Sequence, residues 1–216
     1  MDRYNTIPQS VPLTAPFTQE GLIIGITGPT GSGKTTLLQL MADHGGLILD
    51  CDAIYHQLLS ADNDLLAAIE NRFPGTVKNN TLDRKALGAI VFSDTAALQD
   101  LNRITHSAVK AEVLRRLACK PKLAAIDAIG LFEGGLAQLC DVTVAVIAPE
   151  ELRVARLMAR DGITEDYARS RIAAQHPADW YAQHCDHVLE NASTVDAFTT
   201  KCLAFLAELG IMKEKM

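Results

Sequence analysis

The segment Gly28-Pro29-Thr30-Gly31-Ser32-Gly33-Lys34-Thr35 constrains this chain more than any other feature. It follows a short apolar run, LIIGIT at 22–27, and opens a helical pattern spanning about 33–43. The spacing G-x-x-x-x-G-K-[ST] between a strand and a helix predicts a loop whose backbone N–H groups turn inward around a polyphosphate, helped by the positive end of the helix dipole. Lys34 is expected against the β- and γ-phosphates, and the Thr35 hydroxyl is expected to face Mg²⁺. With Thr36, these residues form the expected ATP-binding set. A ligand-free glycine turn explains the glycines but not the Lys-Thr pair placed after them. No Asn-Lys-x-Asp guanine reader and no Leu-Ser-Gly-Gly transporter signature occurs.

Further apolar runs at 47–50, 123–128, 142–147 and, more weakly, 186–190 are strand candidates. The clearest ones do not alternate with polar residues and are separated by helical patterns, as in a parallel sheet covered on both faces. Helices are expected at about 149–160, 164–174 and 195–209, with Pro149 and Thr164 at their starts. Roughly 70 residues separate the second and third strands, against about 10 to 15 for a usual crossover helix. Leucines at helical spacing in DRKALGAIVF and LQDLNRITHSAVKAEVLRRL make this a helical insertion, at about 55–118. The fold class is therefore α/β: a P-loop NTPase fold with a five-stranded parallel sheet flanked by helices. Residues 1–20, with three prolines among polar residues, read as a flexible arm, and 21–216 as a single P-loop domain.

A formal charge of -6 provides no general attraction to a phosphate backbone, so nucleic acid is not an expected partner. No stretch approaches the ~18 apolar residues of a membrane span, and the N-terminal segment lacks a signal-peptide core. Five scattered cysteines without paired spacing suit a reduced cytoplasm. The chain is expected to work as a monomer or small homo-oligomer.

The second strand is read as ending in Asp50-Cys51-Asp52, with alternation placing the two carboxylates on one side. In open parallel sheets, ligands lie beyond the carboxyl ends of the strands. Asp52 is thus the candidate base that takes the proton of an attacking hydroxyl, while a helix cap is the plainer role for either carboxylate. Asp127, at the end of the third strand, is read either as a Mg²⁺- or acceptor-positioning carboxylate or as a cap. Arg153, Arg156, Arg160, Arg169 and Arg171 on two predicted helices suit a lid over phosphates, and equally a solvated face paired with nearby acids. Trp180 and Tyr181 read as packing anchors, Cys51 as packing, and His176, His184, Cys185 and His187 as surface groups with no standard zinc spacing.

Taken together, the chain resembles the dephospho-CoA kinase family from about residue 22 to about 209. The residues that carry the resemblance, besides the loop and Asp50-Cys51-Asp52, begin with Leu82-Asp83-Arg84-Lys85-Ala86-Leu87, Ile104-Thr105-His106 and Leu131-Phe132-Glu133. They continue through Arg156-Leu157-Met158-Ala159-Arg160-Asp161-Gly162, Arg171-Ile172-Ala173-Ala174-Gln175 and Asp186-His187-Val188-Leu189-Glu190-Asn191. The resemblance implies transfer of the ATP γ-phosphoryl group to the ribose 3′-hydroxyl of dephospho-CoA, with ATP and Mg²⁺ required. It puts Asp52 in the place of the base, Lys34 and Arg160 on the transferring phosphates, Arg84 and His106 on the acceptor side, where Asp127 is also counted from its place at the strand end, and Asn191 near the adenine. It makes the helical insertion the CoA-binding region and about 156–182 a mobile lid. The chain departs from the family pattern at Ile129-Gly130, Ser107 and His56, and after Gln175, where His176-Pro177-Ala178-Asp179-Trp180-Tyr181 stands. Another small-molecule or nucleotide kinase, or an ATP-binding switch that transfers nothing, are the rival readings.

Overall fold

The computed structural model describes residues 21–211, so the N-terminal arm lies outside the described residues. Strand β1 (Leu22–Thr27) is buried along nearly its whole length because it pairs on both sides, with β5 (Leu123–Asp127) and β6 (Val142–Ile147). Strand β2 (Leu47–Asp50) joins outside β5, and β7 (His187–Glu190) outside β6, giving the parallel order β2-β5-β1-β6-β7. Central parallel strands are covered on both faces, which accounts for their unbroken apolar runs.

On one face pack α1 (Lys34–Asp43) and α9 (Val195–Glu208), joining Leu37, Met41, Phe198, Phe205 and Leu206 to Ile24, Ile26 and Val144. Each such side chain, fully withdrawn from water, contributes about 1.5–3 kcal/mol. The other face is closed by α2 (Cys51–Ala61), α5 (Thr95–Leu117) and the loop after β5, through Ile54, Val109, Val113 and Leu131.

The segment between β2 and β5 has a small core of its own, built from α2, α3 (Asn63–Arg72), α4 (Arg84–Val91) and α5 around Leu66, Ile69, Phe73 and Leu87. It is not wholly helical as expected: β3 (Val77–Lys78) and β4 (Thr81–Leu82) form an antiparallel hairpin, with Asn79 and Asn80 in the left-handed region where Asn is tolerated.

The second strand is also shorter than the sequence suggested. It stops at Asp50, whose side chain accepts the Ala53 N–H and starts α2, so Asp52 stands in the first turn of a helix. The strand-alternation argument for Asp50 and Asp52 therefore fails, because an acceptor placed three residues before a free N–H favours a helix start over another strand residue. Beyond β6, α6 (Glu150–Asp161) and α7 (Glu165–Ala173) pack through Val154, Leu157, Ala168 and Ile172. Pro149 and Thr164 are their N-caps, as the sequence indicated, and a further short helix, α8 (Ala178–His184), precedes β7.

Candidate active site

The carboxyl ends of β1, β2 and β5 lie side by side, with Asp127 in register with Ile26 on one side and Asp50 on the other. The phosphate loop leaves β1 at Gly28 with φ of 132°, and a Cβ there would stand 2.0 Å from the Val146 carbonyl oxygen, so only glycine passes. Gly33, the left-handed N-cap of α1, is similarly confined: a Cβ would meet Asn191 Nδ2 at 2.3 Å. The loop is thus wedged between β6 and Asn191 before any ligand is considered.

Its outward-facing polar groups are held by α6 and neighbouring elements. Arg153, only 4% exposed, donates from Nε to Thr30 O at 3.0 Å. Arg156 Nη1 donates to Gly31 O and Ser32 O at 3.1 and 3.2 Å, and its Nη2 reaches Asn191 Oδ1 at 3.2 Å. Asn191, itself buried, donates from Nδ2 to Ser32 O at 2.9 Å, so its amide is engaged by the loop. From the α7–α8 junction, Gln175 Oε1 accepts the Thr30 N–H at 2.8 Å. With the loop carbonyls directed at these donors, and the Thr30 and Ser32 N–H groups taken by Gln175 and Pro29, among the described residues the N–H groups of Gly31 and Gly33 are left for an anion.

Thr30 through Thr35 line a cleft of about 650 Å³ together with Asp50, Asp52, Asp127, Arg156, Arg160, Arg171 and Gln175. Lys34 Nζ donates to Gly28 O at 3.3 Å and stands 3.8 Å from Asp127 Oδ1. Burial pushes the Asp127 carboxyl up to about 6; the Lys34 ammonium opposes this, and the carboxylates of Asp50 and Asp52 add to it. Ser32 Oγ and Asp127 Oδ1 are buried without a hydrogen-bond partner among the described residues. Such atoms cost free energy unless a ligand meets them, and hydroxyl and carboxylate oxygens are the donor set that suits a hard divalent cation beside phosphates.

Asp52 also lines a second, smaller hollow of about 170 Å³ with Cys51, Tyr55, Thr105, His106, Ile129 and Gly130. His106 therefore lies where an acceptor-side residue belongs. Arg84 is not brought into this group: it is exposed at the start of α4, with Nη2 3.5 Å from His56 Nδ1, and lines neither cleft. Cys51 is 7% exposed and its thiol is pushed up to about 12 by burial, reinforced by Asp127, Asp50 and Asp52. It is an inert packing group.

Arg160 borders the phosphate cleft but is paired in a fork with Asp161, at 2.7 and 3.0 Å, and Arg171 reaches the same carboxylate at 2.6 Å. Those two guanidiniums, Arg160 first, hold the Asp161 carboxyl down at about 2. Arg169 is bound by Glu150, Glu151 and Glu165. The solvated-face reading thus describes Arg169, while Arg153 and Arg156 hold the loop. The sequence reading favoured Arg160 over both. Positions 153, 156 and 160 fall at helical i, i+3 and i+7, a one-face signal that was available. Tyr181 is 1% exposed and anchors α8, as the sequence suggested for it.

A parallel sheet in this order, whose first strand feeds a glycine-wedged phosphate loop and whose neighbouring strands end in carboxylates, is the architecture of P-loop kinases. A shikimate kinase from Bacteroides thetaiotaomicron shares the fold, at TM-score 0.52 and 15% identity over 88% of this chain and 98% of that one. The sequence profile of the dephospho-CoA kinase family matches residues 22–197, and the chain belongs to that family. It is 39% identical to the dephospho-CoA kinase of Anaeromyxobacter dehalogenans, over 87% of this chain and 92% of the relative. It is 34% identical to that of Syntrophotalea carbinolica, over 87% and 92%. The crystal structure of TT1252 from Thermus thermophilus superposes with TM-score 0.75 at 34% identity, over 88% of this chain and 99% of that one.

Proposed function

We infer that the chain uses ATP to phosphorylate the ribose 3′-hydroxyl of dephospho-CoA, yielding coenzyme A and ADP. Family membership supports the substrates. The observation that carries the chemistry is the position of Asp52, which with the apolar Ile129 lines both the phosphate cleft and the adjoining hollow and is the titratable side chain common to them.

The ATP phosphates lie in the loop from Gly28 to Thr36, and the ribose hydroxyl of the acceptor enters from the hollow lined by Asp52 and His106. Asp52 takes the hydroxyl proton as the oxygen attacks the γ-phosphorus. A new P–O bond forms there, the bond to the β–γ bridging oxygen breaks, and ADP leaves with that electron pair. Lys34 stabilises the charge that develops on the phosphoryl oxygens, and Arg160 adds to it after exchanging Asp161 for phosphate. Thr35 and Asp127 are the side chains that would hold Mg²⁺, which would supply charge neutralisation for the phosphates. Asn191 acts on the nucleotide side by shaping the loop, and Arg84 serves the acceptor only at its outer end. Residues of α6 through α8, about 156–182, form the lid.

Mass-spectrometric detection of coenzyme A, with coupled ADP release, tests the reading. Asp52→Asn is expected to lower kcat by at least about a hundredfold, in the range of a lost general base, with little change in the KM of ATP. An unchanged kcat in that variant removes Asp52 from the role of base. ADP release without coenzyme A overturns the acceptor.

A further inference from the structure

Two consecutive residues at the α7–α8 junction touch two different walls of the site. Gln175 Oε1 holds the Thr30 N–H of the phosphate loop at 2.8 Å. His176 Nε2 lies 2.9 Å from Glu133 Oε1, in the turn whose Ile129 and Gly130 line the acceptor-side hollow. The loop follows β1 and the turn follows β5, so this junction is a cross-strap between donor and acceptor walls.

Both contacts are geometrically defined. A backbone N–H can only donate, which fixes the Gln175 amide with its oxygen towards Thr30. The Thr30 carbonyl is simultaneously held by Arg153. His176 stacks on Trp180 with ring centroids 3.9 Å apart and planes at 11°, and Phe132 meets Trp180 edge-on at 5.7 Å. An isolated exposed His–Glu pair contributes little because two side chains must be immobilised to form it. Here the imidazole is already oriented by the indole, and the residue before Glu133 packs on that same indole.

We propose that Gln175 and His176 are positioning residues that couple the phosphate loop to the acceptor wall. Seating His176 on Glu133 keeps Gln175 on the Thr30 N–H, so order in one cleft is transmitted to the other. Neither residue touches the reacting atoms. The coupling rests on the kinase reading only in naming what each cleft binds.

Amide hydrogen exchange at Thr30 in the full-length, ligand-free protein tests the strap. Gln175→Ala is expected to speed that exchange about tenfold, as for loss of one backbone-capping hydrogen bond. His176→Ala, which removes no contact to Thr30, is expected to speed it at least about threefold, and His176→Gln, whose amide still donates to Glu133, to restore most of the protection. Thr30 exchange unchanged in His176→Ala overturns the coupling. In the coenzyme A assay, His176→Ala is expected to raise the KM of ATP with kcat changed less; an unchanged KM of ATP also overturns it. Because exchange is read without ligand, failure of the strap is distinguishable from failure to form coenzyme A, which counts against the kinase reading instead.

Discussion

Asp127 shows how one carboxylate can be costly to the fold and useful to the site. It is half-buried at the end of β5 beside two further acids, and among the described residues its cationic partner is Lys34 at 3.8 Å, beyond hydrogen-bond reach. Its carboxyl holds a proton up to about 6 in the folded chain, above the 3.8 of an unperturbed group. The native state therefore binds more protons than the unfolded one in that window, and this group's contribution to stability falls as pH rises from about 4 through 6. Asp127→Asn is expected to stabilise the protein by about 1 kcal/mol near neutral pH, a gain that vanishes near pH 4. The gain is held to that size because the amide brings N–H donors of its own that must find acceptors beside Lys34. Urea denaturation at the two pH values measures the difference. A gain that is independent of pH would show that the carboxyl is not held protonated by burial.

At the scale of elements, carboxylate caps decide where several helices begin. Asp50, Asp62, Asp83 and Asp94 each accept backbone N–H groups at the starts of α2, α3, α4 and α5. Asp94 accepts two, from Ala96 and Ala97, and lies away from both clefts. Asp94→Ala is expected to cost about 1 kcal/mol in urea denaturation, the usual cap contribution, with coenzyme A formation unchanged. Helix α6 carries two functions on adjoining faces: Val154 and Leu157 pack against α7, while Arg153 and Arg156 hold the carbonyls of the phosphate loop. The buried Arg153 has its guanidinium pKa lowered by desolvation, and its Nη2 finds no partner among the described residues. Replacing such a buried cation by an apolar residue of similar length is often neutral or favourable for the fold. Arg153→Met is accordingly expected to keep the melting temperature while raising the KM of ATP several-fold, through a loosened Thr30 carbonyl. Loss of stability with an unchanged KM would make Arg153 a purely structural residue.

For the molecule as a whole, the phosphate loop is the junction on which α1, α6, β6 and the α7–α8 segment converge, so a ligand held there joins parts of the chain that have separate cores. ATP bound at about a hundred times its dissociation constant adds about 2.7 kcal/mol to the native state. For a chain of this length that is expected to raise Tm by about 5–11 °C, measurable by calorimetry with and without nucleotide. Lys34→Ala should abolish most of the shift. A full shift in that variant would place the nucleotide elsewhere.

The local pattern of the chain determined the parallel sheet, the phosphate loop with Lys34 and Thr35, and the helix starts at Pro149 and Thr164. These depend on apolar runs, glycine spacing and caps, all short-range properties. Asp52 was legible as a candidate, but not its place on a helix: whether Cys51 continued the strand or began a helix turned on the Asp50 cap, a choice between two local structures of similar merit. Only the tertiary structure decided which arginines serve the loop, because Arg153, Arg156 and Arg160 share a helix face and differ in what that face meets. It alone brought Gln175 to Thr30 and His176 to Glu133, across 145 and 43 residues. A contact between side chains so far apart in the chain leaves no periodicity to read, since it arises from the packing of elements and not from the sequence of any one of them.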